Sequence, residues 1–194
     1  IKIKDLSSKF VIGVVNPEKF MELQKEVKSD FNTIHYRDTP IFSDPRNKKL
    51  GARIFSNLEK LYLTIKKLNL KIVDVSEYYS LAHKLGVPEK GLINLKDQLF
   101  GLEANFEKLQ AIDFKKGCFI GQENTARMKL KNKLRRRLLP ISSNEKLNIG
   151  DEVIYNDIKI GKILIDKPYP FGLIKIIDPD LEEFKNKKLL ANNK

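Results

Sequence analysis

The segment from Lys115 to Arg137 contains the residues best suited to chemistry. Its cysteine, Cys118, is the only one among the 194 residues and follows a Lys-Lys-Gly sequence. Nine basic residues against one acid, Glu123, give this segment a charge of +8, out of +12 for the chain. The thiolate is the reactive form of cysteine, and nearby cations or a helix N-terminus favour it. The pattern therefore predicts a functional thiol, with a buried packing cysteine as the alternative.

Two glycines, Gly117 and Gly121, bracket the cysteine. They are typical either of close backbone approach to a ligand or of a turn followed by a helix start. Glu123 is expected to cap that helix and to interact with its dipole. No metal site is expected within the chain, because one cysteine and two distant histidines cannot supply the usual ligand set. Cys118 could only be one ligand of a shared site.

Seven basic residues lie between Arg127 and Arg137. Such a run indicates either binding of nucleic acid or another anion, or simply a solvated surface. No aromatic residue lies between Phe119 and Tyr155, so stacking on single-stranded bases is not supported.

The composition, with 41% hydrophobic and 32% charged residues, is typical of a soluble globular protein. No secretory signal pattern and no apolar run of membrane-spanning length is present, so no membrane partner is expected. A single cysteine suits a reducing compartment, and we predict a cytoplasmic location. Because the sequence begins with Ile1 rather than Met, we expect a processed or partial chain.

Alternating strands and helices are predicted in the first 70 residues. Hydrophobic spacing and turn residues predict strands at 10–15, 31–36 and 50–56, and helices at 17–28 and 58–68. The second part, 71–137, is predicted to be mainly helical, with helices at 76–85 and at 94–112, the latter broken at Gly101. It carries the cysteine segment.

Short strands separated by turns are predicted in the third part, 138–194, which we interpret as a small C-terminal β-barrel beginning near the strand at 135–141. Further strands are expected at 152–155, 158–165 and 172–177. The tail from Leu189 is expected to fray. The sequence as a whole predicts an α+β protein.

The stretch Ile112–Glu123, followed by Arg127, resembles the Lys-Gly-Cys-Tyr-x-Gly-Gln-Glu signature of YgfZ-type folate-binding proteins. These are relatives of aminomethyltransferase, the T-protein of the glycine cleavage system. Phe119 stands where the signature has tyrosine. Similar family motifs are Asp44-Pro45-Arg46, Gly86-Val87-Pro88-Glu89 and Glu103-Ala104-Asn105. An N-terminal part that completes the folate pocket in that family is expected to be missing.

The resemblance implies a split α/β (ferredoxin-like) region with a C-terminal barrel, as in the aminomethyltransferase folate-binding fold. It implies tetrahydrofolate as cofactor, Cys118 as functional thiol, and support of iron–sulfur client proteins, including tRNA-modifying enzymes. The implied folate-binding residues are Glu103, Lys116, Gly117, Phe119, Gly121, Gln122, Glu123 and Arg127. One alternative is aminomethyl transfer to tetrahydrofolate. Lys84 and Cys118 argue against it, because they occupy positions where transferases usually have acidic residues. The other is a basic RNA-binding module.

Overall fold

The computed structural model describes residues 2–117, 121, 123–131 and 134–191. The chain divides into two compact units, Ile1–Val75 and Ser76–Lys194. The three-part division at 70 and 137 stays a prediction.

The first unit contains a four-stranded antiparallel sheet. Its strands are β1 (Val11–Val15), β2 (Thr33–Tyr36), β3 (Thr39–Ser43) and β4 (Ala52–Ser56), in the order β1-β4-β3-β2. All three neighbouring pairs are antiparallel. The split α/β (ferredoxin-like) arrangement stays a prediction. Strand β3 is not among the predicted strands, because its Pro40 lacks a backbone N–H and so argues against a strand.

Two helices complete this unit, α1 (Pro17–Glu26) and α2 (Leu58–Lys67). Both begin at the predicted position, after an asparagine cap. Asn16 Oδ1 accepts from Lys19 N–H and Asn57 Oδ1 from Lys60 N–H, each at 2.8 Å. Phe20 and Leu23 of α1 are buried in the core with residues of all four strands.

A buried carboxylate orders the turn between β3 and β4. Asp44 accepts two bonds from the Arg46 guanidinium, at 2.8 and 3.0 Å, and one from Arg53 Nε at 3.2 Å. Side-chain hydrogen bonds and the charges of both arginines outweigh burial and lower the pKa of Asp44. Gly51 lies in the left-handed region at φ +83°, where a Cβ would come within 1.9 Å of Val15 O.

The second unit contains α3 (Val75–Lys84, beginning one residue before it), α4 (Glu123–Leu130), α5 (Leu181–Phe184) and a five-stranded antiparallel sheet. The strands are β5 (Arg136–Pro140), β6 (Glu152–Tyr155), β7 (Ile158–Ile165), β8 (Phe171–Lys175) and β9 (Leu190–Ala191), in the order β5-β8-β7-β6-β9. Strand β7 is rich in isoleucine, and its Ile160, Ile163 and Ile165 are fully buried.

The α+β class is confirmed, whereas the predicted closed barrel is wrong: within the described residues the second sheet is open. Closure needs pairing between the edge strands, and edge strand β9 has only two residues. Residues 190 and 191 pair with β6, so the prediction that the chain frays from Leu189 is wrong for these two residues. Residues 192–194 lie outside the described residues. The likeness to the aminomethyltransferase fold stays a prediction.

The predicted helix at 94–112 is also wrong. A short 3-10 helix, Leu92–Leu95, is followed by turns at 96–98 and 101–110. Asp97, Asn105 and Gln110 have φ values between 57° and 63°, which a right-handed helix excludes. The amphipathic pattern therefore belongs to a loop in which some side chains are buried and others are exposed. We call it the 97–110 loop.

Candidate functional site

Helix α4 carries the second half of the predicted site. Its first residue, Glu123, accepts a hydrogen bond from Gly121 N–H through Oε2 at 2.9 Å. Gly121 has φ +96°, so a residue without Cβ suits the turn into the helix. Glu123 therefore lies in the first turn, where an acid interacts favourably with the helix dipole as predicted, and Arg127 and Lys129 lie in the last turn. Capping of the helix by Glu123 stays a prediction, because its hydrogen bond is to Gly121 N–H, which precedes α4.

Three residues of the predicted site, Cys118, Phe119 and Gln122, lie outside the described residues. The backbone on either side is described. Gly117 and Gly121 are both exposed, and a Cβ built on either would meet no atom within 4 Å. The described glycines thus border open space.

Two lysines precede the cysteine, and both are exposed. The backbone N–H of Lys115 donates to Asp113 Oδ1 at 2.8 Å, which closes a turn just before the glycine. Lys116 contributes to the lining of an adjacent cavity. Two positive charges therefore lie within three residues of the thiol position.

The adjacent cavity has a volume of about 170 Å³ and is mainly apolar. Its lining comes from the stretch before the cysteine and from one face of α4: Ile112, Asp113, Phe114, Lys116, Gly117, Thr125, Ala126, Lys129 and Leu130. We call it the α4 cavity. Binding pockets for drug-sized ligands usually measure about 300–1,000 Å³, so the α4 cavity can hold only part of such a molecule.

The two cations near the end of α4 have partners. Arg127 donates to Asn124 Oδ1 at 3.2 Å. Lys129 pairs with Glu107 at 2.5 Å and lies 5.5 Å from the centre of the Phe114 ring. The two contacts of Lys129 connect α4 to the 97–110 loop and to the wall of the α4 cavity.

Glu103, a predicted folate-binding residue, lies elsewhere in the unit and is 4% exposed. Its carboxylate accepts from Phe100 N–H at 2.9 Å and from Arg136 Nε at 2.9 Å and Nη2 at 3.3 Å. The structure thus brings Lys116, Gly117, Gly121, Glu123 and Arg127 into one local region, whereas Glu103 joins the 97–110 loop to β5. Roles in folate binding remain predictions for all of them.

His83 is fully buried. On sequence alone, the two histidines are considered only as possible metal ligands, and they lie too far apart to form a site. The Nδ1 of His83 donates to Tyr169 O at 2.9 Å, and its Nε2 accepts from the backbone N–H groups of Glu89 and Lys90, each at 3.1 Å. Since Nε2 accepts two bonds, the ring is neutral. Burial lowers the pKa of His83. The Gly86-Val87-Pro88-Glu89 turn that follows α3 is the sequence feature that could have indicated these hydrogen bonds of His83.

Within the described residues, no three His, Cys, Asp or Glu side chains are grouped to hold a metal ion. Every helix in that part of the chain is too short or too polar to cross a lipid bilayer.

No model of a known protein family matches the chain. It is similar to three proteins named as iron–sulfur cluster assembly factor IBA57, or its homologue, mitochondrial. The Neurospora crassa protein is 27% identical over 199 residues, covering 94% of this chain and 41% of that protein. The Dictyostelium discoideum protein is 27% identical, covering 70% and 35%. The Mus musculus protein is 31% identical, covering 53% and 28%. The chain spans less than half the length of these relatives.

At a coarse level these similarities support the family resemblance seen around Cys118. They also correct the predicted location. All three relatives are mitochondrial by name, so the cytoplasmic prediction is wrong on this comparison. A single cysteine fits any reducing compartment and therefore could not distinguish one from another.

Proposed function

We propose that this chain supports the assembly or repair of iron–sulfur clusters in mitochondria, with the Cys118 thiol as its functional group. The observation that carries the proposal is the similarity, over 94% of the chain, to a protein named as a mitochondrial iron–sulfur cluster assembly factor. The position of the cysteine between exposed lysines and the start of α4 supports the choice of residue.

The sequence neighbours of Cys118 are of kinds that favour a thiolate. Lys115 and Lys116 precede it, and the backbone N–H groups at the start of α4 follow it. Groups of both kinds favour a thiolate near them, and the thiolate is the form that binds iron or attacks a disulfide. Iron–sulfur clusters are usually held by four cysteine thiolates. With one cysteine, this chain acts as one ligand among several, and the client or a partner protein supplies the others.

Tetrahydrofolate is the proposed cofactor, and the α4 cavity is where part of it would bind. Phe114, Ala126 and Leu130 offer an apolar surface for a ring, while Lys116 offers charge to a glutamyl tail. The cavity of about 170 Å³ holds only a fraction of folate, so a complete pocket needs further residues. The aminomethyltransferase-like fold is part of this proposal.

The two alternative functions differ from it in what they require. Aminomethyl transfer shares the cofactor and is distinguished by formation of methylene-tetrahydrofolate from a carrier protein. RNA binding would use the basic run, yet Lys129 and Arg136 of that run already pair with Glu107 and Glu103. Involvement of tRNA is therefore proposed only indirectly, through client enzymes that modify it.

The test replaces Cys118 by serine in the organism that makes the protein. Mitochondrial enzymes that contain iron–sulfur clusters should lose activity several-fold, while cluster-free enzymes of the same compartment keep theirs. Cys118→Ala should give the same result, and Ser8→Ala, at an exposed serine, should have no effect. Wild-type cluster-enzyme activity in Cys118→Ser would refute the role of the thiol, and an equal loss in both enzyme classes would refute the role in cluster assembly.

A further inference from the structure

Strand β1 forms an unprotected edge of the first sheet. It pairs with β4 on one side, and on its other side no backbone group of Val11–Val15 has a hydrogen-bond partner within the described residues. Proteins usually protect such edges with charged side chains, proline or a bulge. The sequence Val-Ile-Gly-Val-Val contains no charge and no proline, and its pairing with β4 has no bulge. An edge of this kind is suited to pairing with a further strand.

The other edge strands of the two sheets differ from β1. The outer side of β5 is occupied by the 97–110 loop, because Leu138 N–H donates to Glu103 O at 2.8 Å and Asn105 Nδ2 donates to Leu138 O at 2.6 Å. Strand β9 has only two residues, and β2 exposes the polar side chains of Thr33 and His35. Among the described strands, β1 is therefore the edge best suited to pairing.

The side chains on both faces of β1 are apolar. A Cβ on Gly13 would lie 3.1 Å from Leu61 Cδ1 of α2, and Val15 is buried in the core, so alternate residues of the strand face the helices. Ile12 and Val14 face the other side of the sheet and are 59% and 42% exposed. An added strand would therefore meet apolar side chains on both faces.

We propose that β1 pairs antiparallel with β1 of a second copy of this chain, about a two-fold axis at Gly13, so that the two four-stranded sheets become one. The sequence of β1 reads nearly the same in both directions. In this register Val11 lies opposite Val15 of the second copy, and Ile12 lies opposite its Val14. Each apolar side chain thus meets another on the same face, which gives the self-complementary contact that a two-fold interface requires.

The charges at the two ends of β1 fit this pairing. Lys9 precedes the strand and Glu18 follows it, and both side chains are exposed without an ion-pair partner among the described residues. In the proposed register Lys9 of one copy lies opposite Pro17 of the other, beside Glu18. Opposite charges therefore come together at both ends of the pair. Parallel pairing would instead bring like charges together, which is unfavourable.

Helix α2 adds surface to the same interface. It packs against both β1 and β4, so its axis lies about 5 Å, roughly one strand spacing, from the proposed two-fold axis. Both copies of the antiparallel pair keep their helices on the same side of the joined sheet. The two α2 helices would then be about 10 Å apart, which is a distance at which helices pack. Three of the side chains that α2 exposes, by 53% to 70%, are apolar: Leu58, Tyr62 and Leu63.

The test measures the molar mass of the full chain by sedimentation equilibrium over a range of protein concentrations. We expect the mass to rise from 22.4 kDa to twice this value as the concentration increases. Ile12→Lys should weaken the dimer by at least about tenfold, because each interface would contain two unpaired charges among apolar side chains. Ile158→Lys, the same change at a residue of the second sheet that is 50% exposed, should leave the dimer unchanged. Equal thermal unfolding of the two variants separates loss of the dimer from loss of the fold.

Disulfide cross-linking tests the register, in chains whose Cys118 is replaced by serine. Opposite residues of an antiparallel pair have Cα atoms about 4.5–5.5 Å apart, which is within the range of a disulfide. A mixture of the Ile12→Cys chain and the Val14→Cys chain should therefore form a linked dimer when an oxidant is added. The Ile12→Cys chain alone should cross-link poorly, since its two cysteines lie diagonally, about 7–8 Å apart.

A mass of 22.4 kDa at all concentrations would overturn the proposal. So would a wild-type dimer that Ile12→Lys leaves intact, because the interface would then lie elsewhere. Growth beyond two copies would also overturn it, since that indicates unspecific edge-to-edge aggregation. Cross-linking of the Ile12→Cys chain alone as efficiently as the mixture would contradict the antiparallel register.

Discussion

Glu103 and Arg136 are 33 positions apart in sequence, and their side chains form an ion pair at 2.9 Å between the 97–110 loop and β5. Two backbone-directed bonds reinforce it: Leu138 N–H donates to Glu103 O at 2.8 Å, and Asn105 Nδ2 donates to Leu138 O at 2.6 Å. The loop is thereby held along the edge of the second sheet.

Replacing Glu103 by glutamine should lower the free energy of unfolding by about 1–3 kcal/mol, because a charge-assisted hydrogen bond is lost at a buried carboxylate. The matched change Glu107→Gln removes a carboxylate from an exposed pair and should cost less than about 1 kcal/mol. Urea unfolding of both variants measures the difference. Equal, small losses would contradict a structural role for Glu103 and would favour its predicted role as a ligand residue.

The buried, neutral His83 should make stability depend on pH. Its pKa is lowered in the folded state, so the unfolded chain binds a proton more readily below pH 6.5. The contribution of His83 is fully present above pH 6.5 and is lost as pH falls from there toward the folded pKa. The slope is at most about 1.4 kcal/mol per pH unit for one proton.

Unfolding measured between pH 7.5 and 5 checks this prediction. The wild type and His35→Gln, a control at the exposed histidine, should lose stability over this range. His83→Gln should show a smaller dependence on pH, whatever its absolute stability. An unchanged slope in His83→Gln would assign the acid sensitivity to other groups.

The Cys118 thiol should react with an alkylating agent at pH 7 faster than a model thiol of pKa about 8.5. Replacing both Lys115 and Lys116 by glutamine should slow labelling, since two neighbouring charges that favour the thiolate are removed. The double variant Lys48→Gln/Lys49→Gln changes the net charge equally at two exposed lysines in the other unit and should leave the rate unchanged. Labelling of the folded chain at or below the rate of the model thiol would identify a packing cysteine.

Tetrahydrofolate should bind this chain weakly, because the α4 cavity accommodates only part of the molecule. Additional glutamyl residues should tighten binding, and this gain should fade with added salt, since exposed charges are screened over about 8 Å at 0.15 M. Fluorescence titrations with the mono- and triglutamyl forms at two salt concentrations test both points. Tight, salt-independent binding would show that the pocket lies elsewhere in the chain.

The elements that the sequence predicted well are those with local causes. Asn16 and Asn57 each cap a helix of the first unit through a bond to the backbone three positions later. Strands β6 and β7 begin and end where predicted. Hydrophobic periodicity and turn residues act over a few positions, so the sequence displays them directly. The candidate thiol segment was found in the same way, from adjacent charges, glycines and a helix start.

The elements that the sequence predicted wrongly depend on partners far along the chain. The 97–110 loop has the apolar spacing of a helix, yet Glu103 and Asn105 bond to Arg136 and Leu138 instead. Strand β9 exists because β6 offers an edge to it, and β3 pairs through Pro40 with His35 in a hairpin. The sequence thus determined the helix caps, strands β6 and β7 and the position of the candidate thiol segment. Tertiary structure decided which buried polar groups pair, because each unpaired buried group is costly and its partners come from distant positions.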